Sequence, residues 1–174
     1  IATRWFACHS GSPARPAAHE EGDRRSRRTR CERSTSERLR HRGTVTVFAD
    51  SSALVKLYVP EAGHIAVRSI TDPIVIADLA RVEVPAAFWG KVRTGELALD
   101  DADVLISAFE FDYHGDDTTE PIFAVVAHSE TTLIDAARHA ARHQLRAYDA
   151  VQLACAIAAR RADPSIHTIA VFDK

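Results

Sequence analysis

From residue 44 onward the chain predicts an α/β sandwich built on a mostly parallel sheet. Three observations carry that expectation. Short apolar, β-branched runs alternate with longer amphipathic or Ala-rich stretches. Each apolar run has the length of a strand rather than of a helix. One or two helical stretches separate successive runs, as crossovers between parallel strands require. No internal repeat is visible.

The elements follow in order. TVTVFA (44–49) reads as a short buried strand. SSALVKLYV (51–59) clusters Leu54, Val55, Leu57 and Tyr58 for a short helix, which Pro60 closes. AGHIAVRSITD (62–72) predicts a second helix with Ile65, Val67 and Ile70 on its buried side, and IVIA (74–77) a second strand. Asp78 is placed to cap the helix DLARVEVPAAFWGKVRTG (78–95), which Gly95 ends, and Pro85 should kink that helix or confine it to an early turn. LDDADVLISAFEFDYHG (99–115) predicts a helix capped by Asp100 or Asp101. PIFAVVA (121–127) is a third strand, Ser129 to His143 a helix, LRAYDAVQLACAIAARRA (145–162) a long Ala-rich helix, and IHTIAVF (166–172) a last strand running into Asp173.

The first 43 residues differ in kind. They carry 11 basic against 5 acidic residues, a net of +6, whereas the remainder carries 11 basic against 19 acidic, a net of −8. EEGDRRSRRTRCERSTSERLRHRG lacks a sustained apolar face and predicts disorder. A basic nucleic-acid-binding arm is one reading. A mis-set translation start is the reading favoured here: the chain begins with Ile, contains no Met, is rich in Arg over Lys, and its fold pattern starts abruptly at Thr44. Val45 or Val47 would then be the true initiator. Cys8, Cys31, His9 and His19 match no zinc-ligand spacing, and three cysteines do not make a disulfide framework; Cys155, in an apolar helical pattern, is expected as a reduced thiol. There is no apolar run of about 18 residues to span a membrane and no signal-peptide pattern, so a soluble cytoplasmic protein is expected.

Ligands of open parallel sheets lie beyond the carboxyl ends of the strands. Asp50 stands at such an end, after TVFA, and Asp173 at another, after IAVF. Glu83 lies early in the helix after IVIA, between Val82 and Val84, and Asp149 in the first turn of its helix. Each has an ordinary reading: Asp50 as an N-cap, Asp149 as a helix-dipole partner, Asp173 as a loop residue. Glu83 is harder to dismiss, since an unpaired carboxylate among apolar side chains is costly. Four acids at one sheet edge would repel one another unless a cation neutralised them. Hard oxygen ligands fit Mg²⁺ or Mn²⁺.

These segments resemble a PIN domain, specifically the VapC-type toxin of a type II toxin–antitoxin pair, over about residues 45–174. FADSSALVKLYVPE is similar to the family's opening segment, with Asp50 as first acid and Ser51 as the hydroxyl beside it. ARVEVPAAFWGKV resembles the segment of the second acid, Glu83; LRAYDAVQLACA that of the third, Asp149; VFDK that of the fourth, Asp173. The resemblance implies a three-layer sandwich and a metal-dependent endoribonuclease. Asp50 and Asp149 would ligate Mg²⁺ or Mn²⁺ directly, Glu83 directly or through water, and Asp173 through water. Ser51 would hold a metal-bound water or phosphate, or cap a helix. Lys56 and Arg146 would touch RNA phosphates or belong to a solvated face. A cognate antitoxin laid across the first helices (LVKLYV with Ile65, Val67 and Ile70) and a homodimer are the implied partners, with no membrane.

Two features depart from the pattern. The chain stops one residue after Asp173, where relatives continue, and the −8 body is awkward for RNA, whose phosphates call for a basic surface. Two other readings stay open. One is a catalytically weak PIN-like binding protein that acts through complex formation. The other is a haloacid-dehalogenase-like phosphatase, which would want an acid two residues after Asp50, where Ser52 stands.

Overall fold

The two β-branched runs TVFA and IVIA become the central strands of a four-stranded sheet, and every residue in them is buried. The structure is a computed structural model that describes residues 46–172. The element order is β1 (Thr46–Ala49), α1 (Ser51–Tyr58), α2 (His64–Arg68), β2 (Ile74–Ala77), α3 (Ala80–Thr94), α4 (Leu99–His114), β3 (Phe123–Val126), α5 (Glu130–His143), α6 (Ala147–Ala162) and β4 (Ile166–Ala170). The strands lie in the order β3-β2-β1-β4, all parallel. The expected α/β class with flanking helices is therefore what the chain adopts. β3 and β4, at the edges, are only partly buried.

Period-two alternation along a strand sends neighbouring side chains to opposite faces. Ile74 and Ile76 pack with Leu54, Val67, Val84, Phe88 and Phe109 from α1 to α4. Val75 and Ala77 join Phe48 against Cys155, Ala156 and Ala159 of α6. Two cores on opposite faces of one sheet make three layers. α5 meets α6 through Ala136, Ala150 and Ala154, whose small side chains let the two helices approach closely. Within the first core, Tyr58 sits edge-on to Phe88 and Phe109, with centroids 6.0 Å away in each case. Its hydroxyl donates to Asp112 at 2.7 Å, and burial followed by that carboxylate pushes the phenol well above its ordinary pKa.

The topology fixes where a site can form. The chain moves from β1 to β2 and β3 on one side, then returns to place β4 on the other side of β1. The carboxyl ends of β1 and β4 thus flank a switch point, the crevice where open α/β sheets bind ligands. The Asp50 N–H donates to the Ala170 carbonyl at 3.0 Å and closes the two strands together there.

Several local expectations need correction. Asp78 does not cap α3: Leu79 is already helical, and the Asp78 carboxylate turns to His128, 2.8 Å from its Nδ1. Asp100 and Asp101 do not cap α4 either. The extended backbone of Ala98 starts that helix, leaving both acids inside its first turn, where the dipole favours them. α3 runs through Pro85 to Thr94. α2 is only five residues long; Val67 is its buried side chain and Ile65 is 74% exposed. The 1–43 leader with its cysteines and histidines, Val45 as initiator, and Asp173 lie outside the described residues.

Gly63 has φ +88°, and a Cβ added there would lie 2.6 Å from the Phe172 ring. Gly95 has φ +76° with open space around it. Gly63→Ala should therefore cost more than Gly95→Ala, which meets backbone strain of about 1 kcal/mol alone, with the Phe172 clash adding about 1–3 kcal/mol. Urea unfolding measures both, and equal losses would exclude the Phe172 contact as the cause.

Candidate functional site

Asp50 follows β1 in extended conformation and is the N-cap of α1. One carboxylate oxygen, Oδ2, accepts from the Ser52 N–H at 3.0 Å and from the Ser52 hydroxyl at 2.5 Å. The ordinary reading of Asp50 as a cap is thus correct, and it leaves Oδ1 without a hydrogen bond among the described residues. The Ser52 hydroxyl in turn accepts from the Phe172 N–H at 3.0 Å, so the segment after β4 is tied to Asp50 through one side chain.

The next residue opens a second network. Ser51, buried, donates its hydroxyl to Glu83 Oε2 at 2.6 Å, reaching from α1 to the first turn of α3. Its role is neither helix cap nor free hydroxyl. Gln152 of α6, 4% exposed, donates through Nε2 to Glu83 Oε2 at 2.5 Å and to the Ser51 hydroxyl at 2.9 Å. Gln152 Oε1 is buried with no hydrogen-bond partner among the described residues. Glu83 Oε1, like Asp50 Oδ1, accepts none there.

Asp149 lies three residues before Gln152, on the same side of α6, but is exposed and makes no hydrogen bond or ion pair among the described residues. Of the four acids, Asp50 and Glu83 flank Ser51; Asp149 does not join them in a cluster. Among the described residues no three His, Cys, Asp or Glu side chains form a group that could hold a metal ion. The donor set around Ser51 nevertheless suits a hard cation. It offers two carboxylates, each held through one oxygen by neutral donors, and no Lys or Arg pairs with either among the described residues.

A cleft of about 490 Å³ opens from this point, lined by Ser51, Ser52 and Glu83 at one end and by Lys56, Lys91 and Arg93 beyond. Lys56 is not on a solvated face. It is buried, paired with Glu61 at 2.6 Å, and lies 5.1 Å from the centre of the Phe172 ring. Glu61 also meets Lys91 at 2.5 Å. Burial alone would raise the Glu61 pKa, but hydrogen bonds and charge from both lysines outweigh it and hold the carboxyl below its usual range. Arg93 and Arg146 are exposed and unpaired among the described residues.

Gln152 is the site residue that sequence reasoning missed. Its signal was a lone amide in the buried Ala-rich face of α6, one turn after Asp149. Cys155, one turn further on, is a buried free thiol as expected; burial and then the Asp78 charge push its pKa up to about 11. No protein-family model matches the chain, and no curated protein matches it. Among the described residues no helix is long and apolar enough to cross a membrane.

The depressed Glu61 pKa has a consequence for stability. A carboxyl bound more tightly as its anion in the folded state stabilises above its unfolded pKa and loses that contribution as pH falls through the folded value. The stability gap between wild type and Glu61→Gln should therefore be widest above about pH 5 and close progressively in more acid solution. Urea unfolding between about pH 3 and 7 measures it.

Proposed function

We propose that this chain is a metal-dependent endoribonuclease of the PIN type, acting as a VapC-like toxin. What supports the reading is the state of Asp50 and Glu83. Two partly buried carboxylates flank one serine at the switch point of a parallel sheet and, among the described residues, are held by neutral donors alone. A carboxylate left without a compensating cation in such a place is expensive. Glu61, in the same cleft, shows the alternative, since two lysines neutralise it.

Asp50 and Glu83 would hold Mg²⁺ or Mn²⁺, with Asp149 on the exposed rim of α6 and Asp173 completing the family's set. A bound divalent ion supplies a water of lowered pKa and offsets charge on the phosphate undergoing attack. Ser52 and the Asp50 backbone hold the Asp50 carboxylate at the end of β1. Ser51 holds Glu83. Arg93 and Arg146, exposed and unpaired among the described residues, would meet RNA phosphates. A cognate antitoxin and a homodimer belong to the same proposal, as does a cytoplasmic location. The exposed, ungrouped Asp149 favours the second reading, a weakly catalytic protein that works through complex formation.

Structured RNA incubated with the full chain and Mn²⁺ or Mg²⁺ tests this. Cleavage should require the metal and fall by more than about 100-fold in Asp50→Asn and Glu83→Gln. A smaller loss in Asp149→Asn than in those two would place Asp149 at the rim of the site. Mn²⁺ binding without cleavage by the wild type would favour the second reading, and equal cleavage by all variants would refute the site.

A further inference from the structure

Gln152 is the most buried polar side chain at the site, and its bonding is lopsided. Both of its hydrogen bonds come from Nε2, to Glu83 at 2.5 Å and to Ser51 at 2.9 Å. Oε1 is buried without a partner among the described residues. An unsatisfied buried acceptor is destabilising, and a core position otherwise filled by alanines could do without it. Turning the amide over would not help, because Oε1 would then face the Glu83 carboxylate. The side chain is therefore in place for what its NH₂ group does to Glu83.

A neutral donor differs from a cationic one in its effect on the carboxylate. Lys or Arg at 2.5 Å would position Glu83 and also cancel its charge, as Lys56 and Lys91 do for Glu61. An amide positions it and leaves the charge available. Ser51 is also a neutral donor, so Glu83 receives two fixed hydrogen bonds and no compensating cation among the described residues. Both bonds land on Oε2, which fixes the carboxylate's rotation and leaves Oε1 for another partner. Asp149 stands three residues earlier on the same helix, exposed and outside this network.

We infer that Gln152 is a positioning residue for the metal site: through its neutral NH₂ it orients the Glu83 carboxylate and leaves Oε1 open to a divalent cation. This rests on the proposed metal-dependent reading. The donor's neutrality is the distinctive element, and it separates this role from simple core filling.

The test measures Mn²⁺ binding by calorimetry on the full chain, apart from any RNA cleavage, with thermal unfolding run on each variant. Asp50→Asn serves as the control for the site. Gln152→Met keeps the volume and removes the donor; Mn²⁺ affinity should fall about 10- to 100-fold, as for lost partners of metal ligands. Gln152→Lys restores a donor but adds charge; it should bind Mn²⁺ no better than Gln152→Met even if its melting temperature equals the wild type's. In the wild type, the Gln152 side-chain amide, identified by its absence in Gln152→Met, should shift in ¹H–¹⁵N spectra on Mg²⁺ titration. If wild type binds Mn²⁺, Asp50→Asn does not, and both Gln152 variants bind like wild type, the inference is overturned while the metal site stands. Recovery of affinity in Gln152→Lys would also overturn it, since neutrality would then be irrelevant. No Mn²⁺ binding by the wild type would overturn both.

Discussion

The hydroxyl of Ser51 is the point on which the site depends. It donates to Glu83 and accepts from Gln152, and so joins the start of α1, the first turn of α3 and the first half of α6 through one buried atom. Those helices lie on both faces of the sheet. At the carboxyl edge of β1, past the last strand residue, side chains from both reach one another. The same edge carries the bond between Asp50 and Ala170 and the one between Ser52 and Phe172, which hold the ends of β1 and β4 together. Removing the Ser51 hydroxyl would leave Glu83 and Gln152 facing each other with one bond in place of a closed three-membered network.

Charge compensation divides the acids of this region into two kinds. Glu61 is neutralised by two lysines, and its depressed pKa records that. Its lysines tie α1 and α3 to the loop between α1 and α2, which is structural work. Among the described residues, Asp50 and Glu83 have serine, amide and backbone donors only. Such donors orient a carboxylate without cancelling it. In a partly buried place that is costly for stability, and the cost is intelligible where a ligand cation completes the pair. The charged side chains that line the cleft balance, with Lys56, Lys91 and Arg93 against Glu61, Glu83 and Glu96.

Much of this was legible in advance, and for identifiable reasons. Central strands announce themselves as unbroken apolar runs because both faces are buried, as TVFA and IVIA are. Ser129 was readable as the start of α5, and there it acts as the cap because its hydroxyl needs only the backbone three residues on. Asp78, Asp100 and Asp101 misled because a cap depends on where the backbone enters the helix, and each lies one to three residues from that point. Lys56 misled because a lysine on a short amphipathic helix reads as solvent-facing until Glu61 and Phe172 fold over it. Gln152 went unread because a single amide in an Ala-rich helix has no periodicity of its own.

The sequence by itself determined the order of strands and helices, and that acids stand after β1 and early in the helices following it. Those are local properties, written in periods of two and 3.6 residues and in the residues that end each element. Which donor each carboxylate meets was decided only by the tertiary structure. Ser51 and Glu83 are 32 residues apart, and Glu83 and Gln152 are 69 apart. No local pattern links them; β1 must lie between β2 and β4, with helices packed on both faces, before a serine, a glutamate and a glutamine can share hydrogen bonds.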